Sequence, residues 1–112
     1  MSRKRTPYKN IFSVRLKQAR KEKGLSQKSL GTKAGIDEFV ASTRINRYEK
    51  GIHSPDIITG WNIAKVLGLP LAWFFADDDR LARMITAFSK LSAKNQKKIL
   101  QVIEHMAGRT KH

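Results

Sequence analysis

The sequence has no cysteine, which removes disulfide scaffolds, thiol nucleophiles and cysteine-based zinc sites together. Acids are scarce: nine Asp and Glu stand against 23 Lys and Arg, for a formal net charge of +14. The one acidic run, Asp77-Asp78-Asp79, suits a loop and the positive N-terminal end of a following helix better than a catalytic site. His53, His105 and His112 are scattered with no i, i+4 pair, so no metal site is expected. There is neither a phosphate-cradling glycine loop nor a nucleophile with a nearby base, so no enzyme and no cofactor are expected. No apolar run approaches the roughly 18 residues of a membrane span. The basic start, Met1-Ser2-Arg3-Lys4-Arg5, leads into no apolar signal-peptide core, so the expected location is cytoplasmic.

What is present is one small domain's worth of chain: 112 residues, 40% hydrophobic and 29% charged, within the usual domain range. The charge is unevenly spread. Residues 1–25 carry nine basic residues against Glu22 alone, a net +8; residues 26–60 come to +1 and residues 61–112 to +5. Such an excess favours polyanions, whether nucleic acid or an acidic membrane surface.

Apolar spacing is helical throughout, and no segment alternates long enough for a strand, so the class is all-α. Residues 1–9 read as a basic flexible arm, with Pro7 barring a helix through it. Asn10 is placed to cap a first helix over about 11–23, with Phe12, Leu16 and Ala19 as its buried stripe and Gly24 as its stop. Ser26 caps a second helix, and Leu25 and Leu30 have the spacing of a hydrophobic staple. Gly31 inside that helix costs about 1 kcal/mol relative to alanine, a cost that makes sense where another backbone packs closely. Ala41, Ile45 and Tyr48 mark a third helix ending at Gly51. Ser54-Pro55 is a helix start, and Ile58, Trp61, Ala64, Val66 and Leu67 suggest a largely buried fourth helix closing at Gly68. Leu71–Phe75 reads as a short aromatic plug. Trp61, Trp73, Phe74 and Phe75 are therefore expected in the core rather than as a base-stacking platform.

The most specific segment is Gln27-Lys28-Ser29-Leu30-Gly31-Thr32-Lys33-Ala34-Gly35-Ile36. Apolar residues stand at its fourth, eighth and tenth places, a small residue at the fifth and glycine at the ninth. Two helices crossing at a tight turn need that pattern. The segment resembles the lambda-repressor-like helix-turn-helix of the Xre/Cro family. The resemblance continues through Leu25-Ser26-Gln27, Arg47-Tyr48-Glu49-Lys50-Gly51, Ser54-Pro55 and Ile63-Ala64-Lys65-Val66-Leu67-Gly68, covering about residues 10–76. It implies a five-helix DNA-binding domain; residues 77–112 read from their own apolar spacing as a C-terminal extension of two amphipathic helices. One departure is an insertion of about four residues, Asp37-Glu38-Phe39-Val40. A register without that gap would turn Val40 and Thr43 inward, and Thr43 is a poor core residue.

With the gap, the recognition helix covers about Ser42–Lys50, and its N-terminal part is the part that enters the major groove. Ser42, Thr43, Arg44, Asn46 and Arg47 are then the base-reading candidates; arginine suits guanine O6 and N7. Gln27 and Lys28 at the start of the second helix, with Lys50 and His53 beyond the third, are the phosphate-contacting candidates. Glu49 is out of place in a DNA groove, and the resemblance implies a structural tie to neighbouring backbone or a basic side chain.

In the C-terminal part, Leu81, Met84, Ile85, Phe88 and Leu91 form one apolar stripe, and Ile99, Val102, Ile103 and Met106 another. The two helices can cover each other as a hairpin docked on the domain. The reading preferred here is a homodimer interface built from Leu81, Ile85, Phe88, Ile99, Ile103 and Met106. The implied function is a sequence-specific regulator of transcription, most simply a repressor, reading an inverted repeat in double-stranded DNA. The alternative is the antitoxin of a toxin–antitoxin pair, with a toxin protein as partner and its own operon as target.

Overall fold

The computed structural model describes residues 8–108, with side chains from Ile11 onward. Residues 1–7 of the expected arm, and the basic end 109–112 with His112, lie outside the described residues. Among the described residues, all regular structure is helical. Six α-helices follow in order, α1 (Tyr8–Lys23), α2 (Gln27–Lys33), α3 (Ala41–Glu49), α4 (Ile57–Leu67), α5 (Asp79–Ser89) and α6 (Ala93–Met106), with a 3-10 turn, Leu71–Phe75, between α4 and α5.

Two helix starts differ from the sequence expectation. Tyr8 and Lys9, assigned to the arm, belong to the first turn of α1, and Asn10 is inside that helix instead of capping it. Proline breaks a helix from within, but ahead of the first turn its missing N–H costs nothing. The cap of α4 is Asp56, two residues beyond Ser54; its carboxylate accepts the Thr59 N–H at 2.7 Å. That backbone bond holds the Asp56 carboxyl below the usual carboxylate range. Ser26 caps α2 as read from the sequence; Asp78, from the acidic run, caps α5, and Ser92 caps α6.

The core gathers Phe12, Leu16 and Ala19 from α1, Leu30 and Ala34 from the α2 region, and Ala41, Ile45 and Tyr48 from α3. From α4 it takes Ile63, Ala64 and Leu67. Ile58 and Trp61 are not part of it: they are 69% and 59% exposed. The buried stripe of α4 runs Gly60, Ile63, Ala64, Leu67, the i, i+3, i+4, i+7 pattern of one helix face. Trp61 stands one residue, about 100°, off that face. The 3-10 turn does act as a plug, with Phe12 lying 5.4 Å and 5.3 Å from the rings of Phe74 and Phe75.

The joint to α5 is fixed by a cation inside the domain. Arg15 is 8% exposed; its Nε donates to the Ala76 carbonyl at 2.8 Å and its Nη2 to Asp79 at 3.3 Å. Its guanidinium also lies 5.2 Å from the Trp73 ring centroid, within cation–π reach. Ala82 of α5 is buried and Ile85 packs half-buried against the same core. α6 is different, because none of its residues is buried. Its one side-chain tie to α5 is Gln96 Nε2 donating to the Phe88 carbonyl at 2.9 Å.

Gly31 confirms the close approach expected of it. A Cβ there would sit 2.7 Å from the Ala41 Cβ and 3.1 Å from its carbonyl oxygen, neither of which can swing away. Alanine at 31 would gain about 1 kcal/mol of helix propensity but force α2 from α3, an overpacking worth about 1–3 kcal/mol. Gly31→Ala should therefore lower stability in urea unfolding by up to about 2 kcal/mol, and adding Ala41→Gly should return part of the loss. A Gly31→Ala protein more stable than the parent would mean that the two helices part freely.

Candidate nucleic-acid interface

The turn between α2 and α3 is built almost wholly from backbone bonds. Gly35, at φ 92°, donates to the Thr32 carbonyl, and Ile36 N–H donates to the Gly31 carbonyl at 2.9 Å. This pair of bonds is the Schellman ending of a helix, which needs the left-handed conformation that glycine adopts without strain. Ile36 then turns into the core at 7% exposure. The inserted residues form a second, local turn: Val40 N–H donates to the Asp37 carbonyl at 3.0 Å and Phe39 N–H to Asp37 Oδ1 at 3.3 Å. An aspartate closing its own turn in this way needs no support from the core.

α3 follows with the gapped register. Ala41 and Ile45 are fully buried and Tyr48 nearly so, while Val40 and Thr43 are exposed. At about 100° per residue, Thr43, Asn46, Arg47 and Lys50 fall opposite that buried edge. Ser42 and Arg44 fall on its flanks. Thr43, Arg47 and Lys50 are exposed and Asn46 half-buried. Arg44 is exposed but held along its own helix, donating from Nη2 to the Tyr48 hydroxyl at 2.8 Å.

The far end of α3 is clamped to α1. Ser13 Oγ donates to the Tyr48 carbonyl at 2.7 Å inside the core. Glu49 is bidentate to Arg20, through Nε to Oε2 and through Nη2 to Oε1 at 3.1 Å, with side-chain exposures of 11% for Arg20 and 3% for Glu49. Arg20 Nη1 also donates to the Leu25 carbonyl at 2.8 Å, and Gln27 Nε2 to Glu49 Oε1 at 3.1 Å. Planar fork-to-fork pairing fixes orientation as well as distance, so one cluster ties α1, the start of α2 and the end of α3 together. Glu49 is thus the structural residue that the resemblance implied. Gln27, a phosphate-contacting candidate, is half-buried with its amide engaged in this cluster; Lys28 and His53 are exposed.

Sequence reasoning did not anticipate the roles of Arg15 and Arg20. The signal was present: both flank the Phe12-Leu16-Ala19 stripe at positions where a wider buried face would include them. Among the described residues no group of His, Asp and Glu could hold a metal ion. Nor is any helix among them long and apolar enough to cross a membrane.

A family model described as helix-turn-helix matches residues 16–74. Among solved structures, the crystal structure of the transcriptional regulator BswR is 42% identical, with a TM-score of 0.73 over 83% of this chain and 92% of that one. No curated protein matches. The matched stretch holds α2, the glycine turn, the clamped α3 and the plug, and the likeness to BswR extends well beyond it; the chain belongs to the Xre/Cro-like helix-turn-helix family of transcriptional regulators, a family of binders and not of catalysts.

Proposed function

We propose that this protein is a sequence-specific repressor that reads double-stranded DNA with α3 in the major groove. In this reading residues 10–76 form a lambda-repressor-like unit in which α1 to α4 and the 3-10 turn act as its five helices. The basic segment ahead of α1 serves as an arm along the duplex, and residues 77–112 join two copies. The observation that carries it is the two-sidedness of α3. One edge is locked by Ile45, Tyr48 and the Arg20–Glu49 pair, and the other offers Thr43, Asn46 and Arg47 to the outside.

Arg47 is the strongest candidate for a fork onto guanine, since its side chain is exposed opposite the core and that pairing is the commonest specific contact. Arg44, tethered to Tyr48, serves a base or phosphate at the edge of the groove, with Ser42 on the other flank. In this reading Lys28, Lys50 and His53, all exposed, meet phosphates, and Gln27, whose amide is held by Glu49, does so only where its remaining groups reach the backbone. After selection of a bound sequence from a random pool, Arg47→Ala should cost about 1–3 kcal/mol on that sequence and relax preference at one base pair. Lys28→Ala should weaken all sequences alike. Uniform weakening by both would place the reading surface elsewhere.

The bare apolar faces of α6, with Val102 51% and Met106 80% exposed, support a second reading as an antitoxin. There α6 would cover a toxin, and the DNA-binding unit would regulate the shared operon. Purification from native cells separates the two: a small protein in equal amount favours the antitoxin, and a pure homodimer the repressor.

A further inference from the structure

The inserted turn carries two apolar side chains that the core does not use. Phe39 is 86% exposed and Val40 42% exposed. They stand directly ahead of α3, which starts at Ala41 with Val40 in the N-cap position. Their backbone is held by Asp37, so the side chains are presented from an ordered turn. Leaving a phenylalanine in water forgoes most of the free energy its burial would give. Of the other aromatic rings described in this domain, Phe12, Tyr48, Trp73 and Phe74 are buried, Phe75 is half-buried and Trp61 is 59% exposed. Phe39 is the barest of them and stands free for something outside the domain to cover.

The neighbours narrow what that is. Phe39 lies in the turn just ahead of α3, four residues before Thr43 and eight before Arg47, at the end of α3 that would enter the groove. A protein-binding patch would be expected to gather other apolar residues, but the outward residues of α3 that follow are Thr43, Asn46 and Arg47. The apolar feature that duplex DNA offers in the major groove is the thymine C5 methyl, and phenylalanine is among the side chains that contact it. We infer that Phe39, supported by Val40, reads a thymine methyl at the edge of the half-site, adding an apolar determinant to the polar ones on α3. This rests on the DNA-reading function proposed above, and adds a specificity residue to it.

The test uses the full-length protein and the sequence it selects from a random pool. Each thymine of the half-site is replaced in turn by uracil, which removes only the methyl group. For the parent, one or two positions should each lose about fourfold in affinity, the worth of one buried methyl-sized group. Phe39→Ala should bind the thymine site more weakly by a similar factor and be indifferent to uracil at those positions. Phe39→Leu should keep part of the sensitivity. Phe39 has no core contact to lose, so an unchanged melting temperature for both variants should accompany these results.

Uracil penalties that persist unchanged in Phe39→Ala would overturn the inference while leaving DNA reading by α3 intact. So would a parent protein indifferent to uracil throughout, or Phe39→Ala binding as tightly as the parent, which would give the side chain to a protein partner instead. A parent that selects no sequence at all would overturn the DNA-reading function itself, and this inference with it.

Discussion

Glu49→Ala should cost about 3–5 kcal/mol of stability, because it leaves the Arg20 guanidinium buried without its counter-charge. Arg20 is only 11% exposed in its side chain and lies between α1 and the α1–α2 loop, where water cannot replace a carboxylate cheaply. A domain of this size has about 5–15 kcal/mol in all, so the variant should melt at least about 15 °C lower. Replacing both partners by apolar residues, as in Arg20→Met with Glu49→Leu, should recover most of the loss, since a buried pair is worth little beyond its own desolvation. Recovery should be incomplete, because the Leu25 carbonyl and the Gln27 amide also lose their partners. DNA binding should not return with stability, since the bidentate geometry that orients α3 would be gone. A Glu49→Ala protein melting within a few degrees of the parent would show that the pair is no clamp.

The second large effect concerns α6. A helix of 14 residues is marginal in water unless something packs on it, and here none of its residues is buried: Ile99, Leu100, Val102, Ile103 and Met106 are 38–80% exposed. With Leu81 and Met84 of α5 each 49% exposed and Leu91 37%, both helices leave apolar side chains bare for a second copy. Ile85 and Phe88 are the exceptions among the expected interface residues: both are half-buried, Ile85 against its own domain. The parent should sediment at micromolar concentration as a dimer of the 12.8 kDa chain, and Ile103→Asp as a folded monomer, since α6 is outside the core. Operator affinity should fall about 10²–10⁴-fold, the usual gain from linking two binding modules. A monomeric parent, or a folded Ile103→Asp protein that stays dimeric, would remove α6 from the assembly.

The helix-turn-helix was legible in the sequence because it rests on local rules with few competitors. Ala41, Ile45 and Tyr48 fit only one register, and Gly31 tolerates only a close neighbour. What was not legible depended on which way a helix is rolled. Ile58 and Trp61 are apolar and at plausible helical spacing, yet Gly60 and Ala64, with Ile63 and Leu67, set the buried face of α4. Small residues mark close packing as surely as large ones mark burial, but a reading weighted by hydrophobicity passes over them. Buried polar contacts were hidden for a related reason: Arg15 and Arg20 look like surface charge until the carbonyls of Ala76 and Leu25, far or near in sequence, are brought beside them. The start of α4 moved because Asp56 is a good N-cap and leaves Pro55 ahead of the helix.

Arg15 has one more consequence, for the kind of operator the proposed dimer could accept. By holding Ala76 and Asp79 it makes the step from domain to α5 a rigid joint where many two-part proteins have a tether. Two copies joined through α5 and α6 would then carry their recognition helices at a set separation and a set twist, like the jaws of a locked calliper. One base pair added between half-sites moves the second by about 3.4 Å along the duplex and turns it by about a tenth of a helical turn. A tethered reader absorbs that change by letting its linker swing. Here it has to be met by bending the DNA or by breaking Arg15's contacts, so the length of the spacer becomes part of the recognised message although no side chain touches it.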